Sequence, residues 1–200
     1  SNTLTQGADF AAAFGGAGGV LQAGPGATVL TGANTYTGAT AVAAGTLLVN
    51  GNQGAATGPV TVATNAVLGG AGVSGGALAV AAGGILSPGA AGAGALTVAS
   101  ATLAEGAVYR WDVGAATNDV LAVAGDLALP ASFTLDVRRQ APVPIGGRVL
   151  FRYGGAYSGP DTVRVATAGD LSTACLAVND AANRQVTVRW VQTGTLIQIK

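Results

Sequence analysis

Two hundred residues are enough for one domain, and half of them are hydrophobic, yet only 5% are aromatic, 9% are charged and 33 are glycine. Nine basic residues balance nine acidic ones and there is no histidine. That excludes a phosphate-neutralising nucleic-acid binder, imidazole acid–base catalysis and histidine metal centres. A globular core of this length draws on more Leu, Phe and Met; Ala, Gly, Val and Thr suit a narrow core made of repeated coils. No apolar run reaches the eighteen or so residues that span a membrane.

The chain divides into three by composition. Residues 1–17 read as a capping segment. Asp9 is placed to cap a short helix, Phe10-Ala11-Ala12-Ala13-Phe14, which Gly15-Gly16 ends. So short a helix must dock its Phe side on the open first coil. Residues 18–106 read as solenoid repeats. Between Gly18 and Gly51, apolar pairs (Val20-Leu21, Val29-Leu30, Leu47-Leu48) recur between Gly-rich corners, the pattern of strand, corner, strand. The segments beginning at Val42, Val62, Val80 and Val98 align, with Leu47, Val67, Ile85 and Leu103 in their sixth column. Such columns are stacked positions, one per coil. With parallel strands about 4.8 Å apart, about five coils make a rod on the order of 25 Å.

Composition changes at Glu105. Before it the only charged residue is Asp9. Residues 107–200 read as a C-terminal β cap, either sandwich-like or a continued solenoid. Tyr109, Trp111 and Val113 share one strand face, and Phe133-Thr134-Leu135-Asp136-Val137 alternates again. Gln140 to Gly147, with Pro142 and Pro144, is a connection. Leu176-Ala177-Val178 and Gln185 to Trp190 form a hairpin across Asn179-Asp180, and Thr195 to Ile199 is a last strand.

The stretch Leu21, Gly24, Gly26, Leu30, Gly32, Asn34-Thr35-Tyr36-Thr37-Gly38, Thr40, Val42, Gly45-Thr46-Leu47 and Val49-Asn50-Gly51 closely resembles the passenger-associated transport repeat, also called the autotransporter-associated β-strand repeat. The resemblance covers about 32 residues and departs at Ala23-Gly24-Pro25, where the family has a longer polar residue. Leu68 to Gly72, Gly83 to Gly89, Tyr109 to Val113 and Asn118 to Gly125 resemble the region that follows these repeats in autotransporter passengers. The resemblance implies an all-β, right-handed parallel β-helix closed by an aromatic-rich, more antiparallel cap. It also implies an exported protein, extracellular or on the bacterial cell surface. An autotransporter continues into a membrane β-barrel; as this sequence stops at Lys200, the expectation is either that the barrel was cut off or that this is a family member exported another way.

Few residues invite a chemical reading. Gly70-Ala71-Gly72-Val73-Ser74-Gly75 spells a dinucleotide fingerprint, but no helix-forming run follows and the next acid is Glu105. Glu105 and Asp112 are a carboxylate pair to weigh for glycoside hydrolysis. The repeat region has none of the Lys, Arg and Asp that β-helix lyases use. Asp112, Asn118, Asp119 and Asp126 offer oxygens for calcium at a spacing that matches no loop signature. Asn34 reads as a corner residue, Tyr36 as packed, and Cys175 as a buried small apolar residue. No catalytic, cofactor-binding or metal residue is assigned, and no cofactor is expected. The expected function is structural: a β-helical stalk or a self-assembling fibre subunit of passenger type, not an enzyme. In the fibre version Ser1–Gln6 pairs with a neighbouring subunit at the solenoid end. The alternatives are an adhesin for glycan or host protein, with its patch around Tyr153 and Tyr157, and a polysaccharide-active β-helix enzyme.

Overall fold

The computed structural model describes residues 3–6, 12–89, 92–139, 147–169 and 175–190. Among them every regular element is a strand, and the strands wind into a parallel β-solenoid of about six turns. In chain order the early coils are β1 (Thr3–Thr5) and β2 (Val20–Gln22); β3 (Ala27–Leu30) and β4 (Thr40–Val42); β5 (Thr46–Val49), β6 (Asn52–Gln53) and β7 (Val60–Val62). Two coils with long strands follow: β8 (Val67–Gly70) and β9 (Val73–Val80), then β10 (Ile85–Pro88) and β11 (Ala95–Leu103). The last full coils are β12 (Val108–Val113), β13 (Val120–Val123) and β14 (Leu127–Ala128), then β15 (Ser132–Arg139), β16 (Arg148–Tyr153) and β17 (Tyr157–Ser158). The described chain ends with β18 (Thr162–Gly169), β19 (Cys175–Asp180) and β20 (Gln185–Trp190).

The register defines three faces. On the first, Val20, Thr40, Val60, Leu78, Ala101, Leu127 and Tyr157 lie one above another. On the second, β1, β3, β5, β8, β10, β12, β15 and β18 stack in parallel. On the third, β6, the first part of β9, the first part of β11, β13 and β16 do so. Six steps of about 4.8 Å give a rod of about 30 Å. Alternate residues point inward, so columns of like side chains fill the interior. Val42, Val62, Val80 and Leu103 form one column, each at most 3% exposed. Leu47, Leu68, Leu86, Tyr109 and Leu135 form another, all but fully buried. Each such side chain contributes about 1.5–3 kcal/mol on burial.

The corner between the first and second faces explains the repeat. Gly45, Asn65, Gly83 and Gly106 all hold positive φ, at 68°, 63°, 70° and 78°. This left-handed bend favours Gly and Asn over residues with a clashing Cβ. The amide of Asn65 donates to the Gly83 carbonyl and that of Gly83 to Gly106, both at 2.9 Å. The fourth repeat is therefore Leu103 to Tyr109, and the alignment beginning at Val98 is displaced. Val98 pairs with Ser74 and Val123 on the third face, while Val80 pairs with Leu103. The cause is coil growth. Successive first-face positions are 20, 20, 18, 23, 26 and 30 residues apart.

Wider coils enclose a wider interior that Ala and Val cannot fill to native density. The aromatic residues enter at that point. Tyr109, Trp111, Phe133 and Phe151 are at most 1% exposed. Tyr109 and Phe151 lie 4.9 Å apart and tilted by 58°, and Phe133 meets Phe151 edge-on at 5.9 Å. Parallel pairing continues through this region as far as β18. Among the described residues, antiparallel strands appear only at the end, where β19 pairs with β18, β20 with β16, and the two with each other. The aromatic part is thus a broadening of the solenoid, and the antiparallel cap is its final hairpin.

At the other end, Thr3–Thr5, expected to reach a neighbouring subunit, pairs in parallel with Ala27–Val29 of its own chain. The expected helix after Asp9 lies mostly outside the described residues, and Ala12 to Gly15 carry no regular structure. The last strand at Thr195 to Ile199 and residues 140–146 of the expected connection also lie outside them.

Candidate functional site

The repeat's most polar corner is internal. Asn34 has no exposed surface. Its Nδ2 donates to Gln6 Oε1 at 3.0 Å, and its Oδ1 accepts from Gln6 Nε2 and from the Phe14 amide, each at 2.8 Å. Gln6 Oε1 also accepts from the Gly32 amide at 3.0 Å. The pair satisfies itself as it ties the first coil to the second, and no exposed polar atom of Asn34 is left for a ligand. Tyr36 is 4% exposed, with its hydroxyl 2.6 Å from Thr40 Oγ1. The partner Gln6 was not singled out from sequence, because nothing local relates it to a residue 28 positions on. Gln53 continues the polar interior, donating from Nε2 to the Gly32 carbonyl at 2.8 Å.

The four residues weighed for calcium do not converge. Asp119 is fully buried, accepting from the Gly94 amide at 2.8 Å and the Asp112 amide at 2.9 Å, one on each oxygen. Its backbone carbonyl takes the Trp111 indole N–H at 3.0 Å. Asn118 spends its amide on the Val149 and Asp119 carbonyls. Asp126 stands at another corner, where Oδ1 accepts from the Ala156 amide at 2.7 Å. Asp119 is thus a structural node that joins β12 to the segments entering β11 and β13. Burial pushes its pKa up to about 7, the Asp112 charge adds to the rise, and the two amide bonds oppose it.

The other candidates are placed as follows. Glu105 sits exposed at a corner, accepting from the Ser132 hydroxyl at 2.8 Å. Asp112 is the fifth residue of β12, beyond the Gly106 bend, so about 13 Å of strand runs from Val108 at that corner to it. Two carboxylates so far apart do not flank one glycosidic bond. Gly70 to Gly75 runs from β8 into β9, so a strand follows the motif and no helix N-terminus faces a phosphate. Tyr153 is 7% exposed and donates to Asn179 Oδ1 at 2.8 Å. Tyr157 packs 5.6 Å from it and donates to the Pro160 carbonyl at 2.8 Å. Burial, Asp161 and Tyr153 together raise the Tyr157 pKa to about 12. Only part of Tyr157 reaches solvent, so this aromatic patch is mainly a packed corner.

One surface feature was not read from sequence. On the outside of the first face, Ala41, Thr61, Ala79 and Thr102 form one ladder, and Ala43, Ala63, Ala81 and Ala104 a second at the corner. Between them lies an open apolar trough of about 440 Å³. It carries no charge. The alternation that marks the buried valines also marks these positions, but small outward residues give no chemical signal.

Residues 18–49 match the passenger-associated transport repeat. A 53-residue stretch is 57% identical to "Adhesin BmaC autotransporter" of Brucella suis biovar 1 (strain 1330), covering 26% of this chain and 2% of that protein. The chain therefore spans a small fraction of the length of the curated relative it matches. The matched repeat runs from just before β2 to the end of β5, so its Gly and Asn-Thr-Tyr-Thr-Gly positions are the corners of stacked coils. The chain thus carries a passenger-associated transport repeat, folded as the first complete coils of a parallel β-solenoid.

Proposed function

We propose that this chain is a surface-exposed piece of an autotransporter-type passenger, serving as a neutral β-solenoid spacer that folds from its aromatic end. The observation that carries the reading is the unbroken parallel stack that runs from the passenger repeat into the aromatic coils. A solenoid can nucleate at any point and then propagate, and the place where neighbouring coils bury the largest side chains is favoured. In this chain that place is the Tyr109, Trp111, Phe133 and Phe151 cluster. The spacer role is non-enzymatic: Glu105 and Asp112 stand far apart, Asp119 and Asp126 accept from backbone amides, and Asp136 is paired with Arg110. Protease shaving of intact cells of the source organism tests the surface position. Release of fragments from this segment without lysis is expected; protection until the cells are broken contradicts it.

A second reading, adhesion, has one observation in its favour: the similarity to an autotransporter named as an adhesin. On this chain the surface for it is the uncharged trough of the first face rather than Tyr153 and Tyr157. A neutral glycan array probed with the chain and with its Ala79→Arg variant decides it: binding lost in the variant supports adhesion, and no binding at all rejects it.

A further inference from the structure

A stack of parallel strands ends in unpaired amide and carbonyl rows, which recruit further strands unless they are covered. The C-terminal end of this solenoid presents two long edges of this kind, β18 on the second face and β16 on the third, beside the two-residue β17 on the first. One hairpin covers both. Thr162 to Val165 of β18 pair with Val178 to Cys175 of β19, and Arg148 to Arg152 of β16 pair with Val188 to Gln185 of β20. The hairpin strands also pair with each other from Cys175–Trp190 to Asp180–Gln185. The order β18, β19, β20, β16 is therefore continuous, and both edges of each hairpin strand are used.

The hairpin's turn is fastened to the coil beneath. Asp180 shapes it by accepting from the Asn183 amide at 3.2 Å, from Asn183 Nδ2 at 2.8 Å and from Gln185 Nε2 at 3.2 Å. Arg184 has φ 50°, a left-handed conformation that costs a non-glycine residue free energy. It lies on an exposed turn, so burial does not offset that cost. The strained bend delivers two contacts. The Arg184 carbonyl accepts from the Tyr153 amide at 3.0 Å, and its guanidinium donates to the Gly154 carbonyl. Tyr153, through Asn179, adds a third tie.

We propose that β19–β20 is an edge-sealing clasp, latched by Arg184 on the Gly154 corner, that keeps a second copy of this chain from adding strands to the C-terminal end. The proposal does not depend on the surface role. With the clasp closed, strand addition to β16 and β18 is blocked; with it open, the two become a joint acceptor for another chain's strand.

The test uses the full chain and its Arg184→Gly/Asp180→Ala variant, which keeps the turn's backbone permissive and removes the guanidinium latch together with the Asp180 bonds that shape the turn. Exchange of the β16 and β18 amides should rise about tenfold or more, as expected for loss of a charge-assisted hydrogen bond, and light scattering should show mass rising with concentration. An added peptide of residues 175–190 should reverse the association. Unchanged exchange, or faster exchange with a monomer at every concentration, overturns the proposal. A variant that does not fold is replaced by native-state exchange of the unaltered chain in rising denaturant. There β16, β18, β19 and β20 should open together below global unfolding, and independent opening overturns the latch.

Discussion

Gly58→Ala is the perturbation whose cost follows most directly from the stacked corners. Gly38, Gly58 and Gly76 follow one another up the corner that leads into the first face. A Cβ on Gly58 would lie 2.0 Å from the Gly38 carbonyl oxygen and 2.5 Å from its carbon, and one on Gly76 would lie 2.0 Å from the Gly58 oxygen. A relaxed carbon–oxygen contact is about 3.3 Å, so two coils must part by roughly 1 Å at a point where strand spacing is about 4.8 Å. The coil-to-coil bond from the Thr40 amide to the Pro59 carbonyl, 2.9 Å long, stands beside the clash. Overpacking of about 1–3 kcal/mol plus about 1 kcal/mol for that bond gives about 3 kcal/mol. For a chain of this size that lowers the melting temperature by roughly 6–12 °C. Two controls separate the causes. Gly24→Ala meets nothing within 4 Å and should stay within about 0.5 kcal/mol. Gly106→Ala has room, with Ala82 Cβ at 3.9 Å, but φ 78°, and should cost about 1 kcal/mol from backbone strain alone. Melting followed by circular dichroism ranks the three. Gly58→Ala melting together with Gly24→Ala would mean that the coils are not in contact there.

Three further outcomes are expected. Asp119 has its folded pKa near 7, above its ordinary value of 3.8, so its contribution is fully present below about pH 4 and is lost as pH rises towards and through 7. The loss amounts to roughly 4 kcal/mol; urea midpoints should fall from pH 4 to 8, and Asp119→Asn should flatten that slope while lowering stability at pH 4. Cys175, 2% exposed with its thiol pushed by burial up to about 11, should resist a thiol reagent at pH 7.5 until denaturant is added; rapid labelling of the folded chain would contradict its place in β19. Tyr109→Phe removes the donor to the Leu150 carbonyl at 3.0 Å and should cost about 1–3 kcal/mol in denaturant unfolding; a neutral result would mean that carbonyl finds another partner.

The coiled plan was legible because its corners use residues with distinct backbone needs. Gly45 and Gly83 mark left-handed bends, and Val42, Val62 and Val80 mark the inward column. The register beyond Val80 was not legible, since Val98 and Leu103 both sit in alternating apolar runs. Nothing in β11 announces that the strand turns from the third face to the first. The aromatic and charged residues after Glu105 suggest a different unit, yet they do the same work in wider coils. Arg110 and Asp136, 3.2 Å apart on the outside, are partners across parallel strands. The polar contacts were least legible. Asn34 with Gln6, Asp119 with Gly94, and Arg184 with Gly154 join residues 25 to 30 positions apart, separations set by coil length and not by any local motif.

A spacer that folds from its aromatic end leaves an order of protection that pulse-labelled hydrogen exchange during refolding reads directly. Amides of β12, β13, β15 and β16 should become protected first, with β2, β3, β4 and β5 following. Earlier protection of the passenger-repeat coils, or simultaneous protection of every coil, would contradict it.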